Sequence, residues 1–446
     1  MSRVHRRTWL QQAGMALFGL SASRWLPVLA DQLAQNPRRR RQCILLWMTG
    51  GPSQIDTFDM KPGHAHGGEF AEIATNVPGV RISEHLPQLA TMADKLAIVR
   101  SLSTREGDHS RATYLMRTGY PPQSGARYPT AGASLSKELA TDANLSVNYV
   151  SIAPYRAINF AAFGPGFLGP RYAPLTDGAA DHPPSMVVAQ EDYARLTVED
   201  LQAPDLIGRE QYAKRIELWR SLQDRFLANH RGPSPKAHDA IFRRALQVMD
   251  SQVTKAFRLE EEPDDIRKKY GTGRFGQGCL MARRLIESGV AFVEVALGSF
   301  ESPSIGWDTH ENNFETVRSL SRELDAGWAT LMRELDERGL LESTTILWIG
   351  EFGRTPRINE RAGRDHFPAA WTCVFGGGGI RGGQTYGETS DDGTEVHDGL
   401  VNQGDLLATL CAALGVPPDR ENVSEKGRPI RLAEGRPIAP ILDWMT

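Results

Sequence analysis

Residues Cys43–Met48, CILLWM, form an unbroken apolar run that ends in Thr49-Gly50-Gly51-Pro52. A strand with one wet face alternates polar and apolar residues. An unbroken run needs cover on both faces, as in a parallel sheet flanked by helices. Further candidate strands of this kind recur at Leu96–Val99, Ala291–Leu297 (AFVEVAL), Thr345–Ile349 and Thr372–Phe375. Between them lie helical patterns. Ser110–Arg117 reads as a helix stopped by Thr118-Gly119, and Asp405–Leu414 as one ending at Gly415. Phe314, Val317, Leu320, Leu324, Trp328, Leu331 and Leu335 recur at spacings of three and four, one face of a long amphipathic helix. Strands alternating with helices predict an α/β fold: a doubly wound, mainly parallel sheet with helices on both faces. Residues 190–290 read as mostly helical, with a break at Gly232-Pro233-Ser234-Pro235, and are taken as a helical insertion or cap. The domain therefore spans 42–446, and no internal repeat interrupts it.

Composition narrows the function classes. The chain has 446 residues, 40% hydrophobic and 24% charged, ordinary values for a globular protein large enough to hold a core without staples. Lys plus Arg is 51 against 54 for Asp plus Glu, a net charge of −3, so no long-range positive field gathers nucleic acid. The four cysteines, Cys43, Cys279, Cys373 and Cys411, sit in apolar segments without metal-ligand spacing and read as small core residues. Cys43 and Cys373 both fall in expected strands, which leaves a disulfide geometrically open.

The N-terminus reads as an address. Arg6-Arg7 precedes a mildly apolar run from Ala13 to Ala30 that Arg24 interrupts. That is the pattern of a twin-arginine (Tat) signal peptide over residues 1–34, handled by the Tat export machinery, with cleavage between Ala30 and Asn36. The run is too short for a stable membrane span. The expected location is periplasmic or extracellular; the competing reading is a cytoplasmic protein with an amphipathic N-terminal helix. The arginine run Arg38–Arg41 reads as a solvated entrance to the domain.

Open α/β sheets bind ligands outside the carboxyl ends of their strands. Here the loops at those positions are rich in ligand-type side chains. T-G-G-P-S-Q-I-D-T-F-D after Met48 holds Asp56 and Asp59; the loop after Leu297 ends in G-W-D-T-H-E-N-N, with Asp308, His310 and Asn312; G-E-F-G-R-T-P after Ile349 holds Glu351 and Arg354; and G-R-D-H-F-P, before Thr372, holds Arg364, Asp365 and His366. Aspartate with histidine suits a divalent transition metal. Each residue also has a bland use: Asp308 as a helix N-cap, Asp56 as a turn cap, His366 as a hydrogen-bonded loop histidine. Gly376–Gly379 after a strand is a phosphate cradle or, with no Lys-Ser/Thr following, a tight turn. His64 and His66 in K-P-G-H-A-H-G-G form a weaker second metal candidate.

These motifs, with the G-G-G-I-R-G-G-Q stretch after the last of them, resemble the bacterial family called domain of unknown function 1501. That family is similar in fold to alkaline phosphatases and sulfatases. By this resemblance, D-H-S-R-A-T-Y-L-M-R-T-G corresponds to the nucleophile helix, with His109 at the nucleophile position and Ser110 beside it. Asp308, His310 and His366 then correspond to the ligands of one metal. The positions of a second metal hold Thr49, Glu351 and Phe352 instead of its usual ligands. The resemblance implies an exported metal-dependent hydrolase of phosphate or sulfate esters, sulfatase-like, acting on a small anionic ester. It would use one divalent ion, with Zn, Ca and Mn not distinguished. Asp308, His310, His366 and Glu351 are the candidate metal ligands. His109, Arg111 and Arg354 are the candidate catalytic residues, with Arg364 as a further oxyanion binder; His109 reads equally as another ligand. The alternative is a non-catalytic binding or assembly protein on the same fold, with an unknown partner.

Overall fold

The computed structural model describes residues 41–443 apart from 123–125, 141–146, 178–192, 195, 197–206, 231, 250 and 299–304. The signal peptide expected at 1–34 and most of the arginine run before the first strand lie outside the described residues. One eight-stranded sheet dominates. Its strands are β1 (Gln42–Met48), β2 (Leu96–Leu102), β3 (Tyr149–Ile152), β4 (Leu175–Asp177), β5 (Phe292–Leu297), β6 (Thr344–Gly350), β7 (Trp371–Gly377) and β8 (Gln384–Tyr386). Across the sheet the order is β8-β2-β7-β6-β1-β5-β3-β4. β7 pairs antiparallel with both β6 and β2, and every other neighbouring pair is parallel.

The principal helices are α1 (His109–Thr118), α2 (Arg209–Asn229), α3 (Pro233–Met249), α4 (Arg274–Glu287), α5 (Asn313–Glu337) and α6 (Gln403–Ala413). The unbroken run in β1 has its expected cause. Ile44, Leu46 and Met48 face one core, with Leu280 of α4 and Leu324 of α5. Cys43, Leu45 and Trp47 face the other, with Leu406 and Leu410 of α6. Both faces of the strand are dry, so neither set of side chains can be polar. In α5 the stripe from Val317 to Leu335 is buried as the period requires. In the segment expected as an insertion or cap, the two ends differ. α2 is largely exposed, whereas α4 is buried along its length against the sheet and α5.

All four cysteines are free and buried. The disulfide left open between Cys43 and Cys373 is blocked by topology, because β6 lies between β1 and β7 in the sheet. Gly376–Gly379 makes a turn, with Gly377 and Gly379 at φ of 73° and 76° and Gly378 N donating to Thr344 O at 2.9 Å. Since β7 runs opposite to its neighbours, that turn lies at the edge of the sheet away from their carboxyl ends. The same reversal brings the segment before β7, with Arg364 to His366, to the edge where the parallel strands end.

Candidate metal centre

Three imidazoles meet at one carboxylate oxygen. Asp308 Oδ1 lies 3.3 Å from His109 Nε2, 3.2 Å from His366 Nε2 and 3.2 Å from His310 Nε2. His310 Nε2 and His366 Nε2 are 3.0 Å apart. Donor atoms sharing one zinc-like ion at about 2.0–2.2 Å sit about 3 Å from one another. One donor atom each from His109, Asp308 and His366 lies within 4.8 Å of the others, the one such cluster among the described residues.

The outer ring nitrogens decide what the inner ones present. His109 Nδ1 bonds Glu351 Oε1 at 2.7 Å, His366 Nδ1 bonds Gly107 O at 2.7 Å, and His310 Nδ1 bonds Asp365 Oδ1 at 2.8 Å. Each partner is an acceptor, so each Nδ1 carries the proton in the neutral ring, and each Nε2 lone pair points at Asp308. Lone pairs and a carboxylate in contact repel unless a positive charge lies among them. This is the arrangement in which carbonyls and carboxylates orient metal-binding histidines. The Arg354 guanidinium, 2.7 Å from Asp308 Oδ1, supplies part of that charge. Burial of the His109 ring opposes charging, but hydrogen bonds to Asp308 and Glu351 outweigh it and push its pKa up to about 9. Burial likewise opposes ionisation of Asp308, yet His109, His366 and the Arg354 guanidinium hold its carboxyl far below the usual range.

Local sequence explains how each candidate ligand is presented. His109 opens α1, whose N-cap Asp108 accepts a hydrogen bond from Arg111 N at 3.0 Å, and Gly119 ends the helix in the left-handed region. The helix is tied to the sheet by a buried pair, Arg117 Nη2 to Glu294 Oε2 on β5 at 2.5 Å. Replacing Asp108 by alanine removes the cap and is expected to cost about 1 kcal/mol. Urea unfolding checks this, and a loss within error of zero would show that the cap does not hold α1.

Asp308 does not cap α5, which starts at Asn313 with Asn312 as its N-cap residue. Its loop is held instead by a buried network. Arg364 bonds both oxygens of Asp56, at 2.8 and 3.0 Å, and both side chains are fully buried. Asn313 Nδ2 donates to the same carboxylate at 2.8 Å, Thr309 Oγ1 donates to Asn313 Oδ1 at 2.6 Å, and Arg364 N donates to Thr309 O at 2.8 Å. The loop after β1, the Asp308 loop and the His366 segment are thus one unit. Phe352 packs against the rings of His109 and His366, with centroids 4.9 and 4.7 Å away, and forms an apolar wall behind them.

The other expected site residues take different places. Glu351 contributes no atom to the three-donor cluster; its Oε1 holds His109 Nδ1 and Gly50 N. Its Oε2 is buried with no hydrogen-bond partner among the described residues. Arg354 enters the centre at 2.7 Å from Asp308 Oδ1 but is fully buried, its guanidinium also donating to the carbonyls of Gly50, Gly51 and Arg364. Arg364 is committed to Asp56. Arg111 is 55% exposed and paired with Glu106 at 2.6 and 2.8 Å. Asp59 accepts a hydrogen bond from Thr389 Oγ1, pairs with Lys61 and joins no three-donor cluster among the described residues. Ser110 presents its carbonyl to Asn159 Nδ2 at 3.0 Å. His64 and His66 bond each other and Asp392 O and join no three-donor cluster among the described residues. Sequence reasoning did not find Asp365 and Gly107 O as the groups that orient His310 and His366. Asp365 is legible only as the neighbour of His366, and a backbone carbonyl leaves no signal.

No helix among the described residues is long and apolar enough to cross a membrane. No curated protein matches the sequence. Among solved structures, Ps i-CgsB is similar at 10% identity, covering 90% of this chain and 76% of that one, with a TM-score of 0.41. The PsFucS1 sulfatase from Pseudoalteromonas sp. is 13% identical over 87% of this chain and 72% of that one, with a TM-score of 0.38. The alkaline phosphatase of the Antarctic bacterium TAB5 is 12% identical over 79% and 95%, with a TM-score of 0.32. The family model described as "Protein of unknown function (DUF1501)" matches residues 40–442, and the chain belongs to that family.

Proposed function

We propose that the protein is an exported hydrolase of small phosphate or sulfate esters that works with one divalent metal ion. The observation carrying this reading is the convergence of three Nε2 lone pairs on Asp308 Oδ1, each ring with its Nδ1 proton turned outward. His109, Asp308, His310 and His366 would hold the ion, a nitrogen-rich set suited to zinc and its neighbours more than to calcium. The side chains of His310 and His366 keep 36% and 26% exposure, so the donor set opens to solvent, as a site for reacting ligands requires. A bound divalent ion supplies Lewis-acid polarisation of an anionic ester and a nucleophilic water near neutral pH.

The chain's own groups prepare that chemistry. Glu351, Gly107 O and Asp365 keep the protons on the outer nitrogens. Arg354 neutralises Asp308 without leaving the interior. Phe352 keeps water from behind the rings. The exported location is motivated by Arg6-Arg7 and the apolar run that follows.

The test is turnover of p-nitrophenyl phosphate and p-nitrophenyl sulfate by chelator-treated protein before and after zinc is restored. Activity that appears only with the metal supports the reading. Activity indifferent to chelation, or surviving repurification equally in a His366→Ala variant, overturns it. One observation favours a second reading, a binding or assembly protein. Arg111, Arg354 and Arg364 are all engaged, so none is free to clamp a tetrahedral anion. Stoichiometric metal with no turnover of either ester would select it.

A further inference from the structure

Seven large apolar side chains stand exposed among the described residues, and four belong to one helical hairpin, α2 and α3. Leu218, Leu222 and Phe226 recur every four residues along α2, at 59, 54 and 45% exposure, and Ile241 of α3 is at 53%. They are not the seam of the hairpin. That seam lies elsewhere on α2, where Trp219 stacks on Phe242 of α3 at 3.8 Å. Spacings of three and four place residues on one helix face. Arg215, three before Leu218, and Arg225, three after Leu222, therefore flank the exposed stripe. Neither these nor Arg220 and Lys236 form an ion pair among the described residues. Residues 209–249 carry nine lysines and arginines against four acids, in a chain whose net charge is −3. Arg215 and Arg225, both exposed and without an ion pair among the described residues, thus stand beside the exposed apolar side chains.

We infer that this hairpin is a docking surface for an anionic lipid bilayer. An amphipathic helix with leucine and phenylalanine on one side and arginines at its margins lies in the interface of such a membrane, apolar residues among the acyl chains and cations at the headgroups. The arginines reach outward along their own methylenes as the leucines enter. A second copy of the chain is a poor occupant, since it would set one surplus of positive charge against another. An acidic protein satisfies the charge but must match the stripe side chain by side chain, whereas a soft apolar phase takes an exposed stripe of leucine and phenylalanine as it stands. The hairpin is fastened through Arg244 Nη1 to the carbonyls of Pro170 and Ala173. The same loop reaches the N-terminus of α1 through Asn159. The surface and the metal centre therefore share a support.

The experiment is sedimentation of the full chain with vesicles of phosphatidylcholine, with and without phosphatidylglycerol, at two salt concentrations. Two double variants accompany it, Leu218→Ser with Leu222→Ser and Arg215→Glu with Arg225→Glu. All four residues are exposed, so both variants should melt like the parent. Binding is expected only with phosphatidylglycerol and should weaken with salt. Each double variant should lower the binding constant at least about tenfold. A parent chain that stays in the supernatant with anionic vesicles overturns the inference. So do variants that bind as the parent does, which would place the adhesion elsewhere in the chain. Capture by polyglutamate without binding to anionic vesicles would overturn it in favour of an acidic protein.

Discussion

Replacing His366 by alanine is expected to abolish the proposed metal binding: about one ion per chain in the parent, none in the variant after dialysis. Three features make this a sensitive position. His366 Nε2 touches both Asp308 Oδ1 and His310 Nε2, so its loss opens two sides of the donor set at once. Its Nδ1 is fixed by Gly107 O, which ties the ligand to the segment leading into α1 and His109. Its ring packs on that of His109, with centroids 4.3 Å apart, so a methyl group also leaves the neighbouring ligand without support. Loss of a group that merely orients a ligand typically weakens metal binding by about 10–100-fold, and loss of the ligand itself should exceed about 100-fold. A Glu351→Gln variant makes the comparison internal. It weakens the hold on His109 but leaves every donor atom in place, so metal should still bind at saturating concentration. Metal content by mass spectrometry, with a competition titration for affinity, reads both. A His366→Ala protein that retains the parent's metal would mean that the ion binds elsewhere or that the convergence is filled by protons alone.

The second large effect is structural. Asp56→Ala is expected to destabilise the fold by about 3–5 kcal/mol, because it leaves the guanidinium of Arg364 buried without its counter-charge. Domains of this kind are typically stable by about 5–15 kcal/mol, so the loss is a large part of the total. The damage is specific in location. Asp56 is the acceptor that Arg364 and Asn313 share, and through Thr309 and Arg364 it aligns the segments that present Asp308 and His366. The folded fraction of the variant should therefore bind metal more weakly than the parent, an effect a remote cavity would not produce. Urea denaturation and metal titration at low denaturant separate the two. A stability loss under about 1 kcal/mol would show that water reaches Arg364 and that the pair is not a buried anchor.

The layout of the chain was legible because it follows from local hydrophobic patterning. CILLWM could be placed as a doubly covered strand without knowing what covers it. The three-and-four spacing from Val317 to Leu335 identified a helix face without knowing that α4 and the sheet lie beneath it. The gathering of Asp308 and Glu351 at one edge was also legible, because parallel strands end together. β7 joins that set only because it runs backwards, which presents the start of the strand rather than its end. Nothing in Thr372–Phe375 records its direction.

The division of roles was not legible. His109 and Glu351 are 242 positions apart, and Arg354 and Asp308 are 46 apart. Whether each residue joins the donor cluster or holds a residue that does turns on contacts of about 3 Å. Glu351 reads as a ligand and Arg354 as a substrate clamp until the structure shows the first holding His109 and the second buried among backbone carbonyls. Residue types and their order therefore settle the alternation of layers and the edge at which the chemistry collects, since burial depends on pattern and is shared over many side chains. Ligand, orienting partner and internal counter-charge are assigned only once the chain is packed, because a hydrogen bond is lost within an ångström and no local pattern carries that precision.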